Sequence, residues 1–277
     1  PIWGQQYAIR SAERVAEEMA HIKKLYNPDH IWFADDIFGL SPKWVPIFAD
    51  AVESRNAQTP FMVQSRVDLM TEKAVAGLAR AGCNEVWIGV ESGSQKILDA
   101  MDKGLQLPMV PVVRQRLADA GIKTCYFIQL GYPGETFEDI LTTISLVRET
   151  LPDDIGVSVS YPLPGTKFHD RVKAELRNKY HWEDSNDLDI MFHGTYQSTF
   201  YQKLHRLLHR DLDLRIELRN AGQEKESIVR QLEELEKEWK LWADSEPLNR
   251  SRHPTLIDHS DNKNDEGSFV LLDTLNT

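Results

Sequence analysis

The chain has 277 residues, 41% hydrophobic and 27% charged, with a net charge of −11 at pH 7. This composition is ordinary for a globular domain, and an acidic chain lacks the clustered Lys and Arg that bind nucleic-acid phosphates or an anionic membrane. Its two cysteines exclude a disulfide framework, and no apolar run is long enough to span a membrane. We therefore expect a cytoplasmic protein without a direct nucleic-acid or membrane partner.

Short apolar segments alternate with helical ones along the first 165 residues. Their length and continuous hydrophobicity predict strands that are buried on both faces. Such strands, each followed by a helix, build a parallel sheet through right-handed connections. The five predicted strands cover residues 30–34, 61–65, 85–90, 123–130 and 155–161.

Capping residues predict where the intervening helices begin and end. Ser11 caps a helix that runs to about Tyr26, and Thr71 begins one that Gly82 ends. Thr136, followed three residues later by an Asp, resembles a capping box. Further helices are predicted from Ser41-Pro42 onward, over 94–104 and over 108–120.

The sequence changes character after residue 166. We predict a core barrel over 1–175, a helical extension over 176–243 and a mobile tail over 244–277. Within the extension, residues 223–243 predict an amphipathic helix whose apolar face suits packing or a partner.

The order of the elements indicates that a strand is missing at the start. In a (β/α) barrel each helix follows a strand, yet the helix that begins after Ser11 precedes the first predicted strand. The predicted fold is therefore an α/β protein, a partial (β/α)6 TIM-like barrel lacking its first strand, with an α-helical C-terminal extension. Because the first residue is Pro1 and not Met, we interpret the chain as a fragment.

Polar and Gly/Pro clusters follow all five predicted strands. Ligands of parallel α/β folds bind at the carboxyl ends of the strands, so these clusters predict the functional site. The candidates from the strand ends are Asp35, Asp36, Ser65, Arg66, Glu91, Ser92, Gly131, Tyr132 and Pro162.

Most of these clusters also have a structural interpretation. Glu91 can accept two hydrogen bonds from a ribose diol, or it can belong to a capping cluster with Ser92. Arg66 can bind a carboxylate through two hydrogen bonds, or pair with Asp36 or Glu91. The pair formed by Asp35 and Asp36 can bind a metal ion, an amine or nothing.

Five stretches, in this order and spacing, resemble the radical S-adenosylmethionine (radical SAM) superfamily. The branch most similar to them comprises the cobalamin-binding-domain radical SAM proteins, such as the anaerobic magnesium-protoporphyrin ester cyclase type, and relatives of the methylthiotransferases. The resemblance covers residues 1 to about 175 and implies a partial or full (β/α) barrel. The matching stretches are residues 31–38, 64–68, 89–94, 131–136 and 162–166.

The resemblance implies a role for the first two strand ends. Asp35 and Asp36 correspond to positions near the amino group of the methionine moiety of S-adenosylmethionine. Ser65 and Arg66 correspond to positions near its carboxylate or near the substrate.

It also implies roles for the later strand ends. Glu91 and Ser92 resemble the residues that contact the ribose. The stretch from Ile128 to Tyr132, which includes Gly131, resembles the backbone that borders the adenine, and Pro162 corresponds to the rim of the last strand.

The cofactors implied by the resemblance are S-adenosylmethionine and a [4Fe–4S] cluster, with cobalamin possible in the parent protein. The family's cluster cleaves S-adenosylmethionine reductively, and the deoxyadenosyl radical that forms abstracts a hydrogen from the substrate. The resemblance thus implies hydrogen abstraction, or methyl-transfer or cyclisation chemistry, on an unknown substrate. The implied partners are a small-molecule substrate and a reductant protein such as ferredoxin or flavodoxin.

The sequence departs from the family at the cluster. The family's Cys-x3-Cys-x2-Cys loop follows the first strand, whereas Cys83 and Cys125 stand far apart and form no such motif. In related proteins a stretch like residues 1–11 comes soon after that loop. We therefore expect the chain to start just after the third cysteine and to be inert alone.

Two alternative functions stay open at this stage. The first is a divalent-metal-dependent (β/α) barrel enzyme that uses Asp35, Asp36 and Glu91. The second is a non-catalytic scaffold whose helix over 223–243 recruits a partner.

Overall fold

The computed structural model describes residues 9–176, 188–222 and 225–252. Within them, five parallel strands form one sheet whose order is the chain order. Each connection between neighbouring strands contains at least one helix, which is the arrangement of an open (β/α) barrel. The predicted fold class, a partial barrel with C-terminal helices, is confirmed. The strands are β1 (Ile31–Trp32), β2 (Phe61–Ser65), β3 (Cys83–Glu91), β4 (Lys123–Leu130) and β5 (Asp154–Val159).

The helices begin close to the predicted positions, but the one predicted over 94–104 ends at Ala100, four residues before the predicted stop at Gly104. Ser11 and Thr71 cap the helices that begin at Ala12 and Glu72 with their side chains, and Thr136 forms the predicted capping box with Asp139. The helix after β1 starts two residues later than Pro42 suggested. The helices are α1 (Ala12–Tyr26), α2 (Trp44–Ser54), α3 (Glu72–Ala81), α4 (Gln95–Ala100), α5 (Met109–Asp119), α6 (Phe137–Thr150), α7 (Lys167–Val172), α8 (Ser198–Asn220) and α9 (Lys225–Asp244).

One hydrophobic core joins the barrel to the C-terminal helices. Ile88 on β3 and Ile128 on β4 belong to the same buried cluster as Tyr201 on α8 and Trp242 on α9. Burial of apolar side chains from both regions stabilises them together. The division of the chain at residue 175 remains a prediction, but the core does not end there.

A buried carboxylate connects α6, α8 and α9. Asp211 on α8 is 1% exposed and accepts hydrogen bonds from Arg148 of α6 at 2.8 and 3.0 Å. It also accepts one from Arg215 at 2.7 Å and one from the indole of Trp239 on α9 at 3.3 Å. Because donors surround it, this charge is compensated inside the protein.

The apolar face of α9 is used inside the molecule. Ile228, Leu235 and Trp239 are buried in the common core, which removes the reason to expect a partner on this face. None of the helices in the described part of the chain is both long and apolar enough to cross a membrane.

The first residues of the predicted mobile tail pack against the protein. Glu246 is buried and accepts a hydrogen bond from the Tyr196 hydroxyl at 2.6 Å and another from Arg250 at 2.7 Å. Tyr196 and Arg250 also form an isolated antiparallel bridge. Residues 246–250 therefore pack against the rest of the protein, the mobility of the tail stays a prediction, and residues 253–277 lie outside the described residues.

Candidate functional site

A cleft of about 220 Å³ opens at the carboxyl ends of β2 and β3 and reaches the loop after β1. It contains four of the side chains that the sequence predicted, namely Asp36, Ser65, Arg66 and Glu91. This is the edge of a parallel sheet where ligands of α/β proteins bind. The other polar residues that line it are Gln64, Asp68 and Lys103, and its apolar residues include Ile37, Leu105 and Phe127.

Glu91 occupies the cleft on a strained backbone. Its φ of +64° lies in the left-handed region, and the register between β3 and β4 shifts between Gly89 and Glu91. A side chain at Gly89 would place its Cβ 2.9 Å from Oε1 of Glu91. Strain of about 1–3 kcal/mol at a non-glycine residue persists only where the surroundings fix it, and such residues cluster at functional sites.

Lys103 is a cleft residue that the sequence analysis missed. Its Nζ lies 2.8 Å from Oε1 of Glu91, and the side chains of Lys103 and Glu91 are 40% and 15% exposed. Lys103 follows Glu91 by twelve positions, across a helix and a turn, so no local pattern pairs them. The sequence signal near Lys103 was Gly104, the predicted helix stop, because it marks the turn that carries Lys103.

Arg66 pairs with neither of the partners that the sequence suggested. Its guanidinium donates two hydrogen bonds to Asp68, at 2.9 and 3.1 Å, and these bonds raise the pKa of Arg66. The short 3-10 turn over Val67–Leu69 brings the carboxylate beside the arginine. A planar guanidinium in this fork geometry stays charged and remains half exposed to the cleft.

Ser65 fixes the wall of the cleft. It is 6% exposed, and its hydroxyl donates to the carbonyl oxygen of Phe38 at 2.9 Å. The backbone N–H of Phe38 donates in turn to the carbonyl of Gln64 at 2.7 Å. The loop after β1, which carries Asp36, is therefore attached to the end of β2.

The two adjacent aspartates point into different spaces. Asp36 lines the cleft, whereas Asp35 lines a separate cavity of about 340 Å³ beside α1. The described residues contain no group of three or more His, Cys, Asp or Glu side chains that could hold a metal ion. Asp35, Asp36 and Glu91 are therefore not gathered as ligands, which argues against the metal-dependent alternative.

Ser92 faces the protein interior. It is fully buried, its hydroxyl lies 3.3 Å from that of Thr143 on α6, and it accepts a hydrogen bond from the N–H of Ser94 at 3.1 Å. A Cβ at Gly93 would lie against the backbone of Thr142. The loop after β3 is thus pressed against α6, and the structure does not bring Ser92 to the cleft.

The predicted residues at the ends of β4 and β5 do not line the cleft. Ile128 is fully buried, and Pro162 is buried as well. Gly131 has a φ of +73°, and its N–H donates to Oε2 of Glu135 at 2.6 Å. Tyr132 is 7% exposed and donates to the carbonyl of Ala100 at 2.8 Å. This loop supports the end of α4 and lies under α8.

Glu135 is a carboxyl group without access to solvent. Burial, partly offset by the hydrogen bond from Gly131, raises the pKa of Glu135 to about 8. Its Oε1 and the hydroxyl of Tyr201 on α8 are buried without a hydrogen-bond partner in the described part of the protein. In such a site the neutral form of the acid is favoured.

The cysteines do not fit an iron–sulfur cluster. Cys83 and Cys125 are both buried, burial raises the pKa of Cys83 to about 12, and burial also raises the pKa of Cys125. Iron is bound by thiolates, and three of them hold a [4Fe–4S] cluster of this kind. The residues that the structure describes therefore supply no ligand set for it.

The fold and its strand ends define a (β/α) barrel protein with a polar cleft at the carboxyl ends of β2 and β3. The model of the radical SAM superfamily matches residues 2–147, more than half of the chain. The chain therefore belongs to the radical SAM superfamily, a family that uses S-adenosylmethionine and a [4Fe–4S] cluster.

Individual relatives agree with this assignment. An uncharacterized methyltransferase of Pyrococcus horikoshii is 28% identical over 189 residues, which are 68% of this chain and 41% of that protein. A tRNA-2-methylthio-N(6)-dimethylallyladenosine synthase of Clostridium botulinum is 29% identical over 146 residues, covering 48% of this chain and 32% of that protein. The chain thus spans less than half the length of these relatives.

A solved structure shows the same fold. It is the radical S-adenosylmethionine methyltransferase TsrM from Kitasatospora setae, with cobalamin and a [4Fe–4S] cluster bound. The TM-score is 0.52 at 21% identity, over 58% of this chain and 33% of that one.

Proposed function

We propose that the cleft binds S-adenosylmethionine and that the chain is the barrel part of a radical SAM enzyme acting on a small molecule. The observation that carries this proposal is Glu91, a carboxylate held over the cleft on a left-handed backbone. A carboxylate with a free lone pair on each side accepts both hydroxyls of a ribose diol, a group that an adenosyl ligand always carries.

The other cleft residues suit the methionine part of that ligand. Arg66 presents a charged, half-exposed guanidinium to a carboxylate, and Asp36 presents a carboxylate to an amino group. Ser65 acts indirectly, because its hydrogen bond to Phe38 holds the loop that carries Asp36. In this proposal the chain binds and orients the ligand, and its apolar side chains limit water around it.

The cluster is not assigned to residues of this chain. When bound beside a reduced cluster, S-adenosylmethionine supplies the radical that family members use to abstract hydrogen. The thiols of Cys83 and Cys125 are buried and burial raises the pKa of both, which disfavours the thiolate, so we derive no step that uses them. An electron donor, for which ferredoxin or flavodoxin is our proposal, follows from the family alone.

The reaction on the substrate stays at the level of its class. Relatives named as a methyltransferase and as a methylthio-adenosine synthase favour transfer of a one-carbon or sulfur-containing group, and the fold relative TsrM holds cobalamin. Hydrogen abstraction followed by methyl transfer or cyclisation is therefore our proposal, with cobalamin possible in the complete protein.

Calorimetric titration of the purified chain with S-adenosylmethionine tests the cleft directly. We expect Glu91→Gln to weaken binding about tenfold or more, because a hydrogen bond to a charged group is worth about 1.5–3 kcal/mol. Glu85→Gln is the matched control, since Glu85 lies on the same strand at its other end and accepts from Trp87 at 2.7 Å. A wild-type chain that does not bind, or a Glu91→Gln chain that binds equally well, would refute the proposal.

A further inference from the structure

The last strand of the sheet, β5, has one edge that is covered by a helix. In the described part of the chain β5 pairs with β4 and with no other strand. The N–H of Ile155 on β5 donates to the carboxylate of Asp154 at 2.7 Å, and the carbonyl oxygen of Ile155 lies 3.1 Å from Nε2 of His209 on α8. Because the backbone groups of an open edge need partners, His209 closes this position of the edge.

His209 meets a carbonyl oxygen with each of its two ring nitrogens. Nδ1 lies 2.9 Å from the carbonyl oxygen of His205, one turn earlier on α8, and Nε2 lies against Ile155. A carbonyl oxygen only accepts, so each contact is a hydrogen bond only when the nitrogen carries a proton. A neutral imidazole has one N–H and one bare nitrogen, whereas the charged ring has two N–H groups. The two contacts together therefore require the charged ring.

No carboxylate neutralises this charge. Among the described residues, the only ion pair of a histidine joins His193 to Glu175 at 3.7 Å, and the acid nearest along α9, Glu238, accepts from Arg210 at 2.7 Å. On α8 the neighbouring groups are His205, Arg206, Arg210 and Asp213, and the charged groups that contact α8 or Ile155 are Arg148 of α6, Asp153 and Asp154 at β5, and Glu236 and Glu238 of α9. The two carbonyl oxygens are thus the partners of the charged ring.

His205 provides a contrast on the same helix. Its ring lies against that of His209, with centroids 4.1 Å apart and an angle of 34° between the planes. Burial lowers the pKa of His205, and the positive charges of His209 and Arg206 lower it further. The two stacked rings therefore favour opposite states, one neutral and one charged.

We propose that His209 forms a pH-sensitive contact between α8 and β5: the charged ring bonds both elements, and release of one proton to solvent breaks one of the two hydrogen bonds. Histidine exchanges this proton between about pH 5 and pH 8. Since the folded chain uses the charged form, the contact stabilises it at the lower end of this range and is lost as the pH rises. The same helix carries Tyr201 against Gly131, so the contact also bears on the cover over the end of β4.

The first experiment compares the wild-type chain with His209→Gln by urea denaturation at about pH 6 and about pH 8. The amide of the variant can still donate to Ile155, and it does so at both pH values. We expect the equilibrium constant for unfolding to rise about fivefold more in the wild-type chain than in the variant, which is the contribution of one hydrogen bond. Glu135 titrates in both chains, so its effect cancels in the comparison.

His205→Gln is the matched control, one turn away on the same helix. A histidine with a lowered pKa contributes stability that grows as the pH rises, which is the opposite sign. Removing it should leave the loss between the two pH values at least as large as in the wild-type chain. Equal pH dependence in wild type and His209→Gln, or a loss that disappears in His205→Gln instead, would overturn the proposal.

The second experiment observes the rings directly in the wild-type chain. Nuclear magnetic resonance of the ring nitrogens, in a chain with ¹⁵N-labelled histidine, distinguishes a protonated nitrogen from a bare one, and the two variants assign the signals. We expect His209 to keep both ring protons to a higher pH than His205 does. If His209 loses its second proton together with His205 or before it, the proposed contact is wrong even where the variants are too unstable to compare.

Discussion

The ends of β3 and β4 look alike in sequence and differ in the folded chain. Each strand end carries a short segment with glycine, glutamate and a hydroxyl residue: residues 89–94, which include the last residues of β3, and residues 131–136, which follow β4. After β3, Glu91 faces an open cleft and pairs with Lys103. After β4, Glu135 is buried beneath α8 and has one oxygen without a partner.

The difference shows that position in a barrel and chemical type do not by themselves define a site. Both carboxyl groups stand where ligands of parallel sheets bind. At β4, however, α8 comes from more than 60 residues further along the chain and covers the loop. The covered acid, Glu135, loses contact with water and its neutral form is favoured, whereas the open acid, Glu91, lies beside the ammonium group of Lys103.

The largest expected effect comes from adding one methyl group at the covered end. In Gly131→Ala, the new Cβ would lie 2.6 Å from Cδ1 of Ile190 and 3.2 Å from the ring of Tyr201. We expect the free energy of unfolding to fall by about 3 kcal/mol, from overpacking together with left-handed backbone strain. Urea denaturation measures it.

Gly104→Ala is the matched control for that substitution. Gly104 has a similar left-handed φ, but no atom lies within 4 Å of a Cβ placed there. It should lose only the backbone contribution, about 1 kcal/mol. Equal losses in the two variants would mean that the end of β4 is not tightly covered.

The pH dependence of the free energy of unfolding tests the burial of Glu135, the acid at the covered end of β4. The pKa of Glu135 is about 8 in the folded chain and near 4.5 once the chain unfolds. Between these values only the unfolded chain releases the proton, so Glu135 reduces stability as the pH rises through this window. Above about pH 8 the loss is complete.

Glu135→Gln should remove this loss, because the amide cannot ionise and its carbonyl still accepts from Gly131. We expect the free energy of unfolding of the variant to rise relative to that of wild type by about 2 kcal/mol or more as the pH is raised from about 5 to about 9. Urea denaturation at several pH values measures the difference. A difference that does not change with pH would show that Glu135 is ionised in the folded chain.

A smaller effect on stability is expected at Ser92, which follows Glu91 at the end of β3 but faces the protein interior. Ser92→Ala should lower the free energy of unfolding by about 1 kcal/mol, because Ser94 and Thr143 lose a buried partner. Affinity for S-adenosylmethionine should stay the same, since Ser92 does not reach the cleft. Denaturation and calorimetry report the two quantities separately. Weaker binding with unchanged stability would instead make Ser92 a ligand contact, as the sequence suggested.

Local patterns were sufficient for the fold. The apolar runs of β2 and β4 and the caps at Ser11, Thr71 and Thr136 act within a few residues, and the structure has them where the sequence predicts them. The strand-end rule also located Glu91 and Arg66 in one cleft.

Contacts between distant segments could not be predicted in this way. Ser92 turns inward because Thr143 of α6 receives it, and Gly131 is covered because α8 returns over β4. Lys103 reaches Glu91 from a turn whose flanking carbonyls, those of Leu105 and Ala100, accept hydrogen bonds from the side chains of Gln95 and Tyr132. In each case the deciding partner lies outside the local window that a sequence pattern reports.

The hydrogen bonds between Asp211 on α8 and Arg148 on α6 limit where this chain can be truncated. A chain cut at the predicted domain boundary near residue 175 would keep Arg148. It would lose Asp211, which accepts hydrogen bonds from Arg148, and Trp239, whose ring lies under the guanidinium. It would also leave β5 and α6 without the apolar cover of α8. The barrel by itself would then be a poor candidate for purification, and truncations should stop beyond residue 252.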